Sequence, residues 1–368
     1  MVLNLTKFKD ICSKILYAVD SSESSAITDT LELKLKDDVF SLSVTNREYF
    51  VRVNLPVSGS QSFHASVNAN LFLKLISSLT AENINLEVEN NYLKVVGDGE
   101  YKLPLIYDGK DMLVLPEINI SNVTQSFKIS TTNLKNILNN NLKELNKGVV
   151  LKPVQKLVYI DEKGAITFTT GACVVDFNLP SPIKFLINPK VVKLFKLFKG
   201  EQVDFKYGVD DIGGGILQPK VIFNEDNSVV ISSVLPGDSS MLNIVPAAAI
   251  RKRATDDYSY SVNLNTNLVL NSIKRLTLFA NKSSKSILSF QFKEKEVKIN
   301  DEFGNNEVIK YDNNSELSGC DYSAKLSTDD LRMTLEAYSD EYVCFRFGNH
   351  QAFVISKQGI YNVIPEVV

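Results

Sequence analysis

Histidine and cysteine are scarce in this chain of 368 residues, which contains two histidines and four cysteines. The cysteines are isolated and form no CxxC pair; they are Cys12, Cys173, Cys320 and Cys344. Neither His64 nor His350 lies beside a serine or cysteine motif. So few candidate ligands argue against a zinc site, and the cysteines are predicted to be reduced core residues of a cytoplasmic protein.

Sequence motifs of common catalytic sites are also missing. None of GxSxG, HExxH, GxxxxGK[ST] and GxGxxG occurs, so no nucleophile elbow, zinc protease helix or phosphate loop is indicated. The stretch DDIGGG (210–215) couples carboxylates to glycines and can be interpreted as a metal loop. No further ligands follow at a useful spacing, which favours a hairpin turn. We therefore expect no enzymatic activity, no metal and no cofactor.

Long apolar runs are absent as well, and the opening MVLNLTKFKDICSKILYAVD mixes charged with apolar residues at helical spacing. Neither a signal peptide nor a membrane partner is therefore expected. Hydrophobic residues make up 44% of the chain and charged residues 23%, as in ordinary globular proteins. The length suffices for two or three domains with buried cores.

One segment of the sequence occurs three times. The copies align without gaps at offsets of 119 and 259 residues: FLKLISSLTAENINLEV (72–88), VVKLFKLFKGEQVDFKY (191–207) and LRMTLEAYSDEYVCFRF (331–347). Glu82, Glu201 and Glu341 fall in one column of this alignment. Each copy shows a period of 3.6, then a polar turn and an alternating run, which predicts a helix that leads into a strand.

A second segment repeats with the pattern of a β-hairpin. LSVTNREYFVRVNLP (42–56) and ITFTTGACVVDFNLP (166–180) have equal length and share their last three residues. We interpret KEVKINDEFGNNEVIKY (295–311) as a third copy with Gly304 and Asn305 at its turn. Each unit also opens with an amphipathic helix, at about 7–19, 132–147 and 266–282.

Each unit thus contains two helices and several strands, which predicts an α+β fold with the helices on one face of antiparallel sheet. Units of roughly 120 residues are whole domains rather than solenoid repeats. We place the boundaries in the polar stretch after Pro116 and in AAAIRKRATDD, where the composition changes abruptly. The predicted domains are 1–122, 123–250 and 251–368.

Positive charge is concentrated on the predicted helices. Helix 189–199 carries four lysines opposite its apolar face: Lys190, Lys193, Lys196 and Lys199. The six helices together carry +10 in a chain whose net charge is −3, so the remainder carries −13. A solvated charged face is the ordinary interpretation of a lysine run, but this run has no acid before Glu201. Such segregation favours a polyanionic partner that meets the helices.

The composition of the basic faces indicates how such a partner is held. Lysine outnumbers arginine on these faces, and no cluster of Arg, Asn or Gln is available to read base edges. Aromatic residues do not alternate with the lysines as stacking platforms for single strands. Lysines act as point charges on phosphates, so we expect sequence-independent, salt-sensitive binding that permits sliding.

Three α+β units with two helices each, basic helices and an acidic remainder resemble the bacterial DNA sliding clamp, the beta subunit of DNA polymerase III. The resemblance covers the whole chain, and Tyr361, Val363 and Pro365 in the ending GIYNVIPEVV match the family's terminal pattern. It implies that two protomers join head to tail in a closed ring, with the helices around double-stranded DNA and continuous sheet outside. The DNA-facing residues that it implies are Lys190, Lys193, Lys196, Lys199, Lys143, Lys147, Lys274, Lys282, Lys74, Lys7 and Lys14.

The resemblance also implies a hydrophobic cleft that binds short linear motifs of DNA polymerase, clamp loader and repair proteins. The matching positions are Leu151, Thr169, Thr170, Gly171, Ala172, Cys173, Val174, Pro246, Val363, Ile364 and Pro365. The turn at 170–174 reads TGACV where the family often has Asp-Gly-His-Arg-Leu, and 366–368 reads EVV where it often has Met, Arg and Leu. An ordinary hairpin turn and a frayed tail are the alternative interpretation.

The implied homodimer seam joins domain 1 of one protomer to domain 3 of the other. Leu278 and Phe279 match seam positions of the family, and Tyr101 matches their aromatic partner. An exposed leucine such as Leu278 also needs no special explanation. A divergent, phage-borne or mobile-element clamp fits the departures at the cleft, and so does a clamp of a distant bacterial lineage. The alternative function is that of a divergent accessory clamp or a clamp-like binding module in repair or mobile-element replication. An enzyme and a repetitive adhesion module are the contrasting classes.

Overall fold

The computed structural model describes residues 1–20, 25–57, 62–146, 152–237, 239–279, 286–311 and 317–367, without the side chains of Ser239 and Phe279. Chain contacts divide it into two compact units, Met1–Thr131 with Leu194–Pro236 and Thr132–Lys193 with Gly237–Val368. The predicted α+β class is confirmed, because all the sheets in the described residues are antiparallel and helices accompany them.

The first third of the chain begins with a short strand and a helix and continues through two groups of strands. Its elements are β1 Val2–Asn4, α1 Leu5–Leu16, β2 Thr30–Lys36, β3 Val39–Thr45, β4 Tyr49–Pro56, β5 Phe63–Asn68, α2 Ala69–Ser78, β6 Asn83–Glu89, β7 Tyr92–Val96, β8 Glu100–Pro104, β9 Tyr107–Asp108 and β10 Asp111–Met112.

The middle third repeats this order with irregular helices. Its elements are β11 Val123–Ser130, α3 Thr131–Asn136, a π-helical turn Ile137–Asn141, α4 Leu142–Leu145, a 3-10 turn Pro153–Lys156, β12 Val158–Asp161, β13 Gly164–Phe168, β14 Ala172–Asp176, β15 Lys184–Ile187, α5 Pro189–Val192, a 3-10 turn Lys193–Leu197, β16 Gln202–Asp211, β17 Leu217–Glu225 and β18 Val229–Val234.

The last third adds two helices before the repeated order resumes. Its elements are α6 Ser239–Ile244, α7 Ala247–Thr255, β19 Tyr260–Asn265, α8 Thr266–Leu276, a 3-10 turn Thr277–Phe279, β20 Ile287–Lys293, β21 Glu296–Asn300, β22 Asn306–Lys310, β23 Asp321–Ser327, α9 Thr328–Leu335, β24 Tyr342–Phe347, β25 Ala352–Lys357 and β26 Ile360–Pro365.

Three equivalent hydrogen bonds fix the alignment of the repeats. The first helical residue of α1, α3 and α8 donates its N–H to a glutamate carbonyl: Leu5 to Glu82 at 3.0 Å, Thr131 to Glu201 at 2.9 Å and Thr266 to Glu341 at 2.8 Å. These glutamates form the column predicted from the sequence. The repeated segment at offsets of 119 and 259 is therefore confirmed, since β6, β16 and β24 also begin one residue after them.

Polar residues explain where five of the helices in the described residues begin. Asn4, Asn68, Asn188, Asn265 and Ser327 accept an N–H of the first helical turn. Such N-caps satisfy donors that have no partner inside the helix, each worth about 1 kcal/mol.

In the unit that contains the N-terminus, two larger sheets form the framework. A four-stranded sheet has the order β1-β6-β7-β8, and an eight-stranded sheet has the order β11-β16-β17-β18-β4-β3-β2-β5. The eight-stranded sheet consists of two groups of four strands, which meet where β18 pairs with β4 over Val229–Ser233 and Tyr49–Val53. Phe8, Phe40 and Phe72 lie in the core beside α1 and α2.

The other unit has the same plan. Its eight-stranded sheet has the order β15-β12-β13-β14-β26-β25-β24-β19, and its four-stranded sheet has the order β22-β21-β20-β23. The two groups of four strands meet where β14 pairs with β26 over Ala172–Val175 and Ile360–Val363. Phe290, Phe292, Phe345 and Phe347 fill the core around α8 and α9.

Two local predictions differ from the structure. The gapless hairpin alignment places Val53 over Phe177, but the register opposes Leu42 to Val53 and Ile166 to Val174, because the turn of the second hairpin is three residues shorter. The predicted α-helix over 189–199 is α-helical only to Val192 and continues as a 3-10 turn. The third hairpin is confirmed, with β21 paired to β22 and Gly304 at positive φ in the turn.

Candidate nucleic-acid interface and partner cleft

The lysines of segment 189–199 form a row on one side of it. A 3-10 turn has three residues per turn, so side chains three positions apart project in the same direction. Lys193, Lys196 and Lys199 are exposed and Lys190 is half-buried. The opposite side is apolar and buried, and it consists of Val191, Val192, Leu194, Phe195, Leu197 and Phe198. The spacing in the sequence and the local geometry thus both produce a basic edge.

The end of this lysine row meets α1 through charges. The Asp10 carboxylate lies 3.4 Å from the Lys199 ammonium and 3.2 Å from the Lys14 ammonium. Partial burial raises the pKa of Asp10, but hydrogen bonds and charges from Lys14 and Lys199 outweigh it and hold the pKa below its usual value. Asp10 is therefore ionised at neutral pH and lies between two cations for which the resemblance predicts contact with DNA.

An aromatic side chain adjoins the same row. The Lys196 ammonium lies 3.3 Å from the ring centroid of Tyr17, which follows α1 and is 58% exposed. This is a cation–π contact. No sequence pattern predicted a role for Tyr17 or Asp10. The sequence contains no signal for the contacts of Tyr17 with Lys196 and of Asp10 with Lys199, because both depend on the packing of segments that are distant along the chain.

The other lysines predicted to face DNA differ in their surroundings. Lys7, Lys74 and Lys274 are exposed on α1, α2 and α8. Lys143 is half-buried, and its ammonium donates to the carbonyl of Glu336. Lys147 and Lys282 lie outside the described residues. The assignment of this whole set to DNA stays a prediction.

The Tyr17–Lys196 and Lys143–Glu336 contacts occupy equivalent places in successive repeats. Tyr17, Lys143 and Leu278 each lie twelve residues after the N–H donor of the aligning hydrogen bond. Each aligning hydrogen bond has a glutamate carbonyl as its acceptor, and Lys196 and Glu336 each lie five residues before that glutamate. Ser77 is the equivalent residue in the first repeat. Leu278 is 79% exposed and Ser77 is exposed as well.

The strand groups show the same pattern of joining. By their order in the sheets, β4, β14 and β22 are equivalent, and so are β18, β26 and β8. β4 pairs with β18 and β14 pairs with β26, whereas β22 and β8 each end a four-stranded sheet. Tyr101, the predicted aromatic seam residue, lies on β8 and is 36% exposed. Phe279 belongs to the 3-10 turn, but its side chain lies outside the described part.

Part of the predicted cleft lies at the β14–β26 junction. Ala172 is directly opposite Val363, and two residues along β14 Val174 faces the same side. These three side chains belong to an apolar cluster that is completed by Val154, Tyr159, Ile166, Leu186, Val245, Ala254, Ala352 and Val354. Partly buried Leu157, Phe168, Met241 and Leu242 pack against its rim.

Two predicted cleft residues face the opposite side of the sheet. Side chains alternate along a strand, so Cys173 and Ile364 point away from the Ala172–Val363 side and are buried. Asn141 donates to the Cys173 carbonyl at 3.2 Å, and Ile364 packs in the core with residues of α8 and α9. Their side chains therefore lie off the Ala172–Val363 side, and their assignment to the cleft stays a prediction.

The remaining cleft positions lie around the turn and the strand end. Thr169 and Gly171 close the turn between β13 and β14 with a hydrogen bond of 2.9 Å. A Cβ on Gly171 would lie 2.5 Å from the Val363 carbonyl oxygen, so only glycine fits there. Thr170 and Pro246 are exposed, Pro365 is half-buried, and Leu151 lies outside the described residues. The Thr169 hydroxyl donates to the buried Glu144 carboxylate at 2.8 Å.

The histidines and carboxylates form pairs rather than clusters. His64 lies 2.9 Å from the buried Glu32 carboxylate, and His350 lies 3.3 Å from Asp256. Among the described residues, no group of three or more His, Cys, Asp or Glu side chains is arranged to hold a metal ion. DDIGGG forms the hairpin turn between β16 and β17, as predicted. None of the helices in the described segments has the length and apolarity needed to span a membrane.

Comparisons with known proteins place the fold. No protein-family model and no curated protein sequence matches this chain. Among solved structures, the beta subunit of the DNA polymerase of Streptococcus pyogenes superposes with a TM-score of 0.80 at 16% identity, covering 100% of this chain and 99% of that one. DNA polymerase III beta of Thermotoga maritima gives 0.79 at 14% identity, covering 100% and 98%.

The Helicobacter pylori beta clamp, solved with a DNA ligase peptide, gives a TM-score of 0.73 at 14% identity and covers 100% of this chain and 99% of that one. The likeness extends over both units of the chain and both full lengths. Over its whole length, therefore, the chain has the fold of the beta subunit of bacterial DNA polymerase III, the sliding clamp.

Proposed function

We propose that this protein is a DNA sliding clamp: two copies join head to tail in a closed ring around duplex DNA and tether a DNA polymerase. The observation that carries the proposal is that two edge strands, β8 and β22, are equivalent to strands that are joined elsewhere in the chain. Within the chain, each join is made by a strand of the β4 type against a strand of the β18 type. β22 and β8 are the remaining members of these two sets, and each ends a sheet.

A second copy supplies the missing partner for both edges. Pairing β22 of one copy with β8 of another forms a third eight-stranded sheet on the plan of the other two. The two surfaces of this joint are different, so the contact is heterologous and repeats until a ring closes. The equivalent helix contact then joins Leu278 of one copy to the region of Ser77 in the other.

The basic helix edges support duplex DNA as the cargo of the ring. Lys193, Lys196 and Lys199 are exposed along one line, and lysines without bidentate arginine clusters hold phosphates without reading bases. Because the ring would enclose the duplex, the protein stays on long DNA although each lysine–phosphate contact is weak. The protein then acts as a non-catalytic processivity factor in the cytoplasm, and its three repeats, 1–122, 123–250 and 251–368, contribute six domains to the dimer.

The apolar cluster at the β14–β26 junction supports a role in recruiting partners. Its half-buried rim of Leu157, Phe168, Met241 and Leu242 offers apolar contact area beside exposed Pro246. We assign to it short linear motifs of DNA polymerase, clamp loader and repair proteins, as in the Helicobacter clamp that was solved with a ligase peptide. The altered turn at 170–174 also fits an accessory or mobile-element clamp with its own motif preference.

Light scattering on the Leu278→Asp variant tests the seam. The wild type should have a mass of about 82 kDa, twice the 41.0 kDa of the chain. Burying a carboxylate in an apolar contact costs about 3 kcal/mol, so the dissociation constant should rise about 100-fold or more.

Leu217→Asp is the matched control, because Leu217 is a 66% exposed leucine at the tip of the β16–β17 hairpin. This control should keep the dimer mass. A wild type that stays monomeric at all concentrations, or a Leu278→Asp variant that dimerises as well as the control, contradicts the proposed ring.

A further inference from the structure

One acidic side chain, that of Asp10, lies next to lysines that are proposed to face the duplex. Asp10 lies on α1 between Lys14 and Lys199, with its carboxylate 3.2 Å and 3.4 Å from their ammonium groups. The Asp10 side chain is 53% exposed and that of Lys199 is 67% exposed, so both are open to solvent. The Lys199 ammonium is therefore already paired with a carboxylate when a phosphate approaches it.

The packing around the two residues fixes this arrangement. On α1, Phe8, Ile11 and Cys12 are buried, which directs Asp10 outward. At the end of the lysine row, the buried Glu225 carboxylate accepts the N–H of Lys199 at 2.6 Å and that of Gly200 at 2.5 Å. The backbone that carries Lys199 is thus anchored to the end of β17, and the Lys199 side chain reaches Asp10 on α1 from this fixed position.

We propose that Asp10 competes with DNA phosphates for Lys14 and Lys199 and so weakens the hold of the ring on the duplex. This inference rests on the proposed function, since it takes these lysines to face DNA. Exposed ion pairs contribute little to folding stability, so stability does not explain an acid at this place. Its effect on a sliding protein is direct: each lysine that is released from a phosphate lets the duplex move.

The physics of counterion release makes the effect measurable. Each phosphate that a protein cation neutralises adds about 0.9 to the slope of log affinity against log salt concentration. An asparagine in place of Asp10 keeps the shape of the side chain but lacks its charge, so Lys199, whose side chain is 67% exposed, becomes available to a phosphate, and Lys14, at 19%, becomes available to a smaller extent. Asp10→Asn should bind duplex DNA about 3- to 10-fold more tightly near 0.1 M salt, with a slope steeper by about one.

The experiment measures binding of a short linear fluorescent duplex to the full-length protein by anisotropy, over a series of salt concentrations. The control is Asp38→Asn, which changes the net charge equally at an exposed turn where φ is 58°, a conformation that asparagine tolerates. In a Lys199→Gln background, the gain from Asp10→Asn should be smaller, because one of its two cations is gone.

Equal affinities and slopes for Asp10→Asn and Asp38→Asn overturn the role of Asp10 while leaving the clamp proposal intact. Failure of the wild type to bind the duplex even at low salt overturns the assignment of these lysines to phosphates and with it the role of Asp10, whereas the ring itself is tested separately by the dimer mass. Tighter binding by Asp10→Asn that persists in full without Lys199 and Lys14 also contradicts the competition, because the substitution then acts without the two cations for which the carboxylate is proposed to compete.

Discussion

At the scale of single residues, a buried carboxylate, that of Asp210, holds a connecting segment in place through hydrogen bonds to its backbone N–H groups. Asp210 is 8% exposed and lies next to the end of β16, near the tip of the long β16–β17 hairpin. It accepts the N–H groups of Ser121 at 3.0 Å and Asn122 at 3.2 Å, and it pairs with the Lys220 ammonium at 2.9 Å. These contacts hold the segment before β11 against the hairpin.

Asp210→Asn should lower stability in a pH-dependent way. The hydrogen bond from Lys220 is the main cause that holds the pKa of Asp210 below its usual value, and the N–H groups of Asn122 and Ser121 add to it. A depressed pKa means that the ionised carboxylate stabilises the folded state above about pH 4, and that this contribution is lost as the pH falls through the folded-state pKa.

The denaturant midpoint of Asp210→Asn should therefore lie below that of the wild type at pH 7, and the difference should shrink below about pH 4. Asp211→Asn is the control, because Asp211 is exposed and its neighbouring contact, an N–H from Gly213 at 2.8 Å, can be accepted by an amide oxygen. A difference that stays constant down to about pH 3 contradicts this role of Asp210.

At the scale of elements, the end of β26 combines a structural with a proposed binding role. β26 pairs with β14 on one side and with β25 on the other, so it joins two strand groups into one sheet. Val363 contributes to the apolar cluster beside Ala172, and Pro365 ends the strand next to Gly171. The end of β26 thus completes the proposed cleft.

Removal of residues 365–368 should weaken partner binding. The probe is a DNA ligase peptide of the kind solved on the Helicobacter clamp. Its affinity, measured by fluorescence anisotropy, should fall about tenfold or more, as for the loss of one central interface residue. The same peptide with its apolar residues changed to alanine is the control, and equal affinity of truncated and complete protein for the original peptide contradicts this site.

The sequence predicted the repeated elements because their signals are local. Periods of 3.6 and two, together with one glutamate column, located the helix that leads into each strand. The α6–α7 pair was missed because AAAIRKRAT has a weak apolar stripe, with Ala254 its buried member among those described. Arg251 of α7 instead binds the Asp161 carboxylate through two hydrogen bonds of 2.7 Å, a contact between distant segments that no local pattern indicates.

At the scale of the whole molecule, two equivalent joins between strand groups occur in the described residues. The joins at β18–β4 and β14–β26 repeat one geometry, and β8 and β22 end their sheets. The seam at Leu278 was predicted only through the resemblance to the clamp family. An exposed leucine carries no signal of its own, and the equivalence of Leu278 to Tyr17 and Lys143 becomes visible only in the structure. Charge segregation between the helices and the rest of the chain could be predicted, because it needs only the local helix pattern and the charged residues within it.

The central claim is that the protein holds DNA by enclosing it, and retention on circular and linear DNA tests this most directly. A clamp loader and ATP place the protein on a nicked circular plasmid, gel filtration isolates the complex, and a restriction enzyme linearises half of it. The account predicts that the protein remains on the circle and leaves the linear DNA through its ends. Equal retention on both forms would contradict the claim.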